Sequence, residues 1–377
     1  MIKISFLFLF LLIPTAAMSV AVGMSEGHGA LLYDATQSNG PNPHNGNKPT
    51  NLAGQWKGNI LQFNASATPK TQITRLYPYS GDIEMDCATV SSCVYSGAGQ
   101  NVFALYTKGF GPASVAAYRA QFPSALILAI IDANLDSLPL LSNQTVGVNI
   151  ANMLTPQLCS DTNVDGVFFD LEPISPNAFQ TPGLFALYKQ TAKNLANCKD
   201  AKHPNGRYMA VFINPNKVPD WSQVAEALGH NGYLVVGAYD INDQSPPYPT
   251  EYSAYTSSIN GKIGVFMDPN SQIQKISYTI AIPAASSFSE FEQFGTYVSQ
   301  QLPFSVITDF TKTDQITQLG YVQLARDSVL ANAKSPYYLG MDYWAWSQYK
   351  SPAPNNNWLL LPNIPPNNVV AYLQQFG

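Results

Sequence analysis

The sequence predicts an α/β fold of the (β/α)8 TIM-barrel class, a single domain with an irregular N-terminal segment. Three observations predict it. Eight short apolar runs recur between residues 73 and 346. Most are continuously apolar rather than alternating, as strands buried on both faces are. Helix-patterned stretches fall between many of them, which is the order of a parallel sheet. Eight such units over about 300 residues suit a closed barrel. An open, doubly wound sheet is the rival arrangement of the same elements.

Taken in order, the strand candidates are "ITRLYPY" (73–79), "NVFALYT" (101–107), "ALILAII" (125–131), "DGVFFDLE" (165–172), "RYMAVFI" (207–213), "YLVVGAYD" (233–240), "ISYTIAIP" (276–283) and "YYLGMDYWAW" (337–346). The first is the weakest, because "GALLYDA" (29–35) has the same character and competes for its place, with 73–79 then an inserted hairpin. Helices are expected at 113–122, 183–198, 220–230 and 288–302, from apolar residues at helical spacing. The third has Asp220 as a candidate N-cap and Gly229 near its end. Residues 303–336 read as strand edge and helix rather than a separate module.

The N-terminus has the layout of an export signal: Lys3, an apolar run from Ile4 to Ile13, then small residues around Ala16, Ala17 and Ser19. The run is short for a bilayer span, although an uncleaved anchor is the alternative. The division expected is a signal peptide at 1–19, an irregular segment at 20–72 (with a Gly-, Asn- and Pro-rich loop at 36–59) and a barrel at 73–377. The mature chain is expected to be secreted or periplasmic, monomeric and without stable membrane insertion. An even count of four cysteines in an exported chain favours disulfides. Proximity in sequence suggests Cys87–Cys93 and Cys159–Cys198, among three possible connectivities.

Only 11% of residues are charged and the net charge is -5, so no basic footprint for nucleic acid exists. A surface covered largely by neutral polar side chains suits neutral, polar ligands such as sugars. Neither the cysteines nor His28, His44, His203 and His230 have metal-ligand spacing, and no cofactor is expected.

Against this sparse charge, "VDGVFFDLEP" (164–173) ends an apolar run with Asp170 and Glu172. Residues two apart on a strand share a face. Phe168, Asp170 and Glu172 therefore face the lumen of a barrel, with Glu172 at the C-terminal mouth where barrel active sites lie. Pro173 biases Glu172 towards extended geometry. Adjacent carboxylates in low dielectric push one another towards protonation, and such a pair suits acid catalysis at a glycosidic oxygen. Solvated strand-end acids are the plainer alternative.

"DGVFFDLEP" resembles the signature of glycoside hydrolase family 18, which contains chitinases and endo-β-N-acetylglucosaminidases. That pattern reads Asp-Gly-x-Asp-x-Asp-x-Glu on the fourth strand of a (β/α)8 barrel. Asp165, Gly166, Asp170 and Glu172 match it, and Phe168 replaces the middle Asp. "GAYD" (237–240), "IAIPAAS" (280–286) and "GMDYWAWS" (340–347) resemble the segments of the sixth, seventh and eighth strands, in the same order. The resemblance implies Glu172 as general acid and base, with Asp170 orienting the substrate's acetamido group and stabilising an oxazolinium ion. It implies Tyr239 bonding the acetamido carbonyl, Asp240 contacting sugar hydroxyls, and Trp344 or Trp346 flooring the site. The substrate would be an N-acetylglucosamine-containing oligosaccharide or glycan. Asp132, ending the third strand candidate, is a further sugar-binding candidate, and Asp342 a weaker one. Phe168 cannot share a proton with Asp170 and should desolvate it, raising its pKa. It also leaves open a catalytically silent, glycan-binding relative.

Overall fold

In the computed structural model, eight parallel strands close on themselves into a barrel. The structure describes residues 24, 27–33, 57–85, 102–104, 110–134, 143–172, 181–213, 221–238, 257, 260–261, 263–264, 276–284, 318–332, 335–350, 361–362, 365 and 367–375. The strands are β1 (His28–Tyr33), β2 (Ile73–Met85), β3 (Val102–Ala104), β4 (Leu126–Asn134), β5 (Gly166–Glu172), β6 (Tyr208–Ile213), β7 (Gly232–Gly237), β8 (Tyr278–Pro283), β9 (Tyr338–Lys350) and β10 (Leu361–Pro362). The pairing order runs β1-β2-β4-β5-β6-β7-β8-β9, and β9 returns to pair with β1. The open-sheet alternative is thereby excluded. β3 and β10 lie off the barrel, antiparallel to β2 and β9.

Helices α1 (Lys57–Ser66), α2 (Phe110–Arg119), α3 (Gln144–Ser160), α4 (Pro182–Ala196), α5 (Trp221–Leu228), α6 (Gln318–Asn332) and α7 (Asn367–Gln375) interleave with the strands. No helix among the described residues is long and apolar enough to cross a membrane. Two separate apolar cores follow from strand parity. Val167, Phe169 and Leu171 pack outward with the helices, whereas Phe168 joins Leu31, Tyr77, Ile130, Ala210 and Val235 inside the lumen.

Two strand expectations change. The barrel begins at His28, inside the segment read as irregular, and residues 57–66 of that segment form a helix. β1 is buried along its whole length and pairs with strands on both sides. Conversely, the run at 101–107 supplies no barrel strand: its described part, β3, pairs antiparallel with the end of β2. β2 is 13 residues long, with a register irregularity at Tyr79/Gly81, and its far end overshoots the barrel and takes β3 as partner. One strand enters the count and another leaves it, so β5 remains the fourth barrel strand.

The closure between β9, β1 and β2 is made by a buried ion pair. Arg75 of β2 and Asp342 of β9 lie 3.1 Å apart, both fully buried. Arg75 also donates to the carbonyls of Gly27, Leu339 and Met341 and to the Tyr77 hydroxyl. Asp342 accepts from Thr279 and Tyr77 as well. The pair reaches across β1 because Gly29 has no side chain: a Cβ there would stand 2.0 Å from Asp342 Oδ1. Gly340, at φ 121°, clears the guanidinium in the same way. His28 accepts from the Met341 N–H, and burial and Arg75 push its pKa down to about 3, so it stays neutral.

At the opposite end of β5, Asp165 anchors the strand. It accepts from Arg119 (2.5 Å), Lys202 (2.5 Å), His203 (2.8 Å) and the Ile127 N–H (2.7 Å). Burial would raise its pKa, but the His203 bond and then the cations outweigh this and hold it near 2. Beside it the Cys159–Cys198 disulfide, as expected, joins the end of α3 to the end of α4. Arg207 caps the carbonyls there, bonding those of Leu158, Cys159, Asp161 and Val164. Cys87–Cys93, residues 1–19 and the helix expected at 288–302 lie outside the described residues.

Removing one member of a buried pair strands the other, so Asp342→Ala should cost about 3–5 kcal/mol of stability by urea denaturation. Asp165 makes a separate prediction. Its folded pKa (about 2) lies below the ordinary aspartate value of 3.8. Its contribution is therefore present above pH 4 and lost as pH falls towards 2. Asp165→Asn should flatten that part of the stability–pH curve.

Candidate active site

β5 brings Asp170 to the C-terminal rim of the lumen, above Phe168. Phe168 is fully buried, and its ring meets Tyr77 edge-on at 5.1 Å between centroids. Tyr77 in turn lies 3.0 Å, hydroxyl to hydroxyl, from Tyr233 and bonds Asp342. The lumen below Asp170 is thus filled by rings and sealed by the closure network. Asp342 belongs to that network and is fully buried, so a contact with sugar is not available to it.

Asp170 is partly buried and accepts a 2.7 Å hydrogen bond from the Tyr33 hydroxyl at the end of β1. Burial pushes its pKa up to about 6, and the Tyr33 bond opposes the rise. Asp170 stands above the apolar Phe168 ring, and a carboxylate that loses water to burial favours its protonated form. Glu172 stands two residues further, as the last residue of β5. Its side chain lies outside the described residues, as do Tyr239 and Asp240.

Asp132 stands level with Asp170 on the neighbouring strand, and Asp82 is level with Asp132 on the next. Asp132 is partly exposed, and its carboxylate accepts from the Ala133 N–H at 2.6 Å. The β2–β4–β5 side of the rim is therefore an acidic row by register. Among the described residues elsewhere on the rim, Phe212 on β6 and Trp344 on β9 pack against the lumen core.

The two tryptophans part company. Trp344 is partly buried and touches both the lumen cluster and the outer one. Trp346 is 1% exposed and lies in the outer layer, its ring 5.0 Å from Phe63 and 5.7 Å from Tyr343. Equal parity does not hold here, because the β1–β9 register slips between Ala30 and Leu32: these residues pair with Tyr343 and Ser347. Extra residues on β9 turn Trp346 towards the helices. Trp346 therefore packs away from the lumen, among the outer core residues.

Tyr33 and Phe212 escape the sequence reading. The signal for Tyr33 was parity: on a strand at 29–35 it shares a face with Leu31. Phe212 sits in an apolar strand with nothing polar beside it to mark it. Among the described residues, no group of three or more His, Cys, Asp or Glu side chains is placed to hold a metal ion.

No protein-family model matches the chain, and no curated protein matches it. Across most of its length the chain is similar in structure to solved chitinases and an N-acetylglucosaminidase of glycoside hydrolase family 18. A chitinase from Bacteroides thetaiotaomicron aligns over 93% of this chain and 96% of its own, at 10% identity and TM-score 0.49. A family 18 N-acetylglucosaminidase from Paenibacillus barengoltzii aligns over 85% and 95%, at 8% identity and TM-score 0.49. A chitinase-like agglutinin from Robinia pseudoacacia aligns over 75% and 91%, at 15% identity and TM-score 0.44.

Tyr33 sets a measurable quantity. Asp170 titrates above the ordinary aspartate value of 3.8 when folded, so its contribution to stability is lost as pH rises from 4 to about 6. Tyr33→Phe removes the donor that favours the carboxylate and should move the upper end of that decline above pH 6. Urea midpoints measured from pH 4 to 8 in both proteins check this.

Proposed function

We propose that the chain is an exported glycosidase that hydrolyses a β-1,4 bond next to N-acetylglucosamine, with retention. The observation that carries the reading is the Asp-Leu-Glu ending of β5, at the C-terminal rim of a closed barrel whose lumen below is apolar. In this reading Glu172 protonates the leaving oxygen and later activates water. Asp170, when ionised, accepts from the acetamido N–H and supports the positive charge that develops as the acetamido oxygen attacks the anomeric carbon. The nucleophile comes from the substrate, so a second enzyme carboxylate at nucleophile distance is not required. Tyr239 would bond the acetamido carbonyl, Asp240 and Asp132 would contact hydroxyls, and Trp344 would floor the site. The substrate is a chitin-type oligosaccharide or the core of an N-glycan, bound by a monomer.

A second reading has one specific observation in its favour. Phe168 fills the position where the family 18 pattern has an acid, so Asp170 has no carboxyl below it with which to share a proton. A glycan-binding protein without turnover is the outcome if that sharing is indispensable.

The experiment is incubation of the mature chain with fluorogenic chito-oligosaccharides and with a high-mannose glycopeptide. Glu172→Gln is expected to abolish cleavage, and Asp170→Asn to lower kcat by about 10²-fold or more. Because Asp170 must be ionised, kcat/KM should rise with pH through about 6. Wild-type binding of these substrates without turnover overturns the enzymatic reading.

A further inference from the structure

At the end of the barrel away from the candidate site, one buried histidine stands between two carboxylates. His203 lies in the turn between α4 and β6, where Lys199, Asp200, Ala201 and Lys202 are exposed. Its own side chain is only 5% exposed. Nε2 lies 2.8 Å from Asp165 Oδ1 at the foot of β5, and Nδ1 lies 2.9 and 3.0 Å from the two oxygens of Asp200. An ionised carboxylate only accepts hydrogen bonds. Asp165 is held ionised (near 2), and the His203 bond holds the Asp200 carboxyl well below the usual carboxylate range. A neutral imidazole has one N–H and can donate to one of them. To donate to both, the ring carries both protons and a positive charge.

The other charged and titratable groups around the ring come from every neighbouring element. Arg119 of α2 and Lys202 of the turn bond Asp165, and Tyr208 of β6 stands near it. Arg207, just ahead of β6, reaches Asp200 at 3.4 Å. Asp161, past the end of α3, turns its carboxylate to Asn163. The bond to Asp165, supported by Asp200, outweighs burial and raises the pKa of His203.

We propose that His203 is a proton-dependent clasp: as an imidazolium it fastens the α4–β6 turn to the foot of β5, and loss of its proton frees Asp200 and loosens the turn. A stripped ring nitrogen turns a lone pair towards a carboxylate oxygen, so one of the two contacts breaks. Asp165 is buried and keeps Arg119, Lys202 and the Ile127 N–H. The Asp200 side chain is 43% exposed and can turn to water. Its Oδ1 also accepts from the backbone N–H groups of Lys202 (2.8 Å) and His203 (2.7 Å), and turning away gives up both. The Cys159–Cys198 disulfide on one side and Arg207, bonded to four carbonyls, on the other confine the loosening to 199–206. His203 titrates above its ordinary value of 6.5, so the clasp is closed below that pH and opens as pH rises through the folded value.

The test follows the ring nitrogens of His203 by NMR in the full chain, labelled with 15N at histidine, from about pH 5 to about 9. In parallel, trypsin cleavage after Lys199 and Lys202 is timed over the alkaline half of that range. Asp200→Asn is the comparison: it keeps the capping oxygen and adds an N–H that a neutral imidazole can accept, so the second proton is no longer needed. The wild-type ring should remain mostly doubly protonated at pH 6.5 and titrate above it, with cleavage rising through the same midpoint. Asp200→Asn should titrate lower, and its cleavage should follow only the pH dependence of trypsin itself. A wild-type ring that is mostly singly protonated at pH 6.5 overturns the inference, whether or not the variant folds well. Cleavage that rises in parallel in wild type and a folded Asp200→Asn overturns it too.

Discussion

The structure depends on a buried ion pair that closes the barrel. Arg75 and Asp342 belong to strands that do not pair, and they meet across β1 because Gly29 is bare. A guanidinium stays charged under any condition a protein survives, so its five donors have to be met inside the barrel. They are met by three backbone carbonyls, a tyrosine and the carboxylate. Such a pair contributes little net stability over an apolar replacement, but it penalises any arrangement that leaves one partner alone. It therefore specifies which strands become neighbours at the seam. With the seam fixed, the register of the other strands, and so the height of each rim residue, is fixed too.

The seam reaches the candidate site through aromatic rings. Tyr77 bonds Asp342 on one side and meets Phe168 edge-on on the other. Phe168 supports Asp170, and Tyr33, from the closing strand itself, bonds the Asp170 carboxylate. At its lower end β5 is held by Asp165 among Arg119, Lys202 and His203. The strand that carries the acids is thus tied down at its lower end by charge, in the middle by packing and at its upper end by a hydrogen bond. Asp170 sits where water is scarce, and this burial is why its proton is retained to an unusually high pH.

Much of this was legible in the sequence, for physical reasons. The apolar runs at 125–131, 165–172, 207–213, 233–240, 276–283 and 337–346 were recognisable because strands covered on both faces need apolar side chains on both. The division of 165–172 into lumen and helix faces followed from parity alone. Other features were hidden. β1 was read only as a rival to 73–79, and that both are barrel strands became visible only through their pairing. α3 carries Pro156 in its interior, a residue that ordinarily argues against a helix. The outward packing of Trp346 was hidden because the irregularity in the β1–β9 register leaves no composition signal. Tyr33 and Phe212 become site residues only when β1 and β6 are set beside β5, a long-range fact that no local pattern encodes.

The central claim is that an apolar floor, in place of an acid, governs the proton on Asp170. The most direct measurement is the carboxyl carbon chemical shift of Asp170 followed by NMR against pH in the free protein. The account predicts a midpoint near 6. A midpoint near 4, the value of an ordinary aspartate, would contradict it.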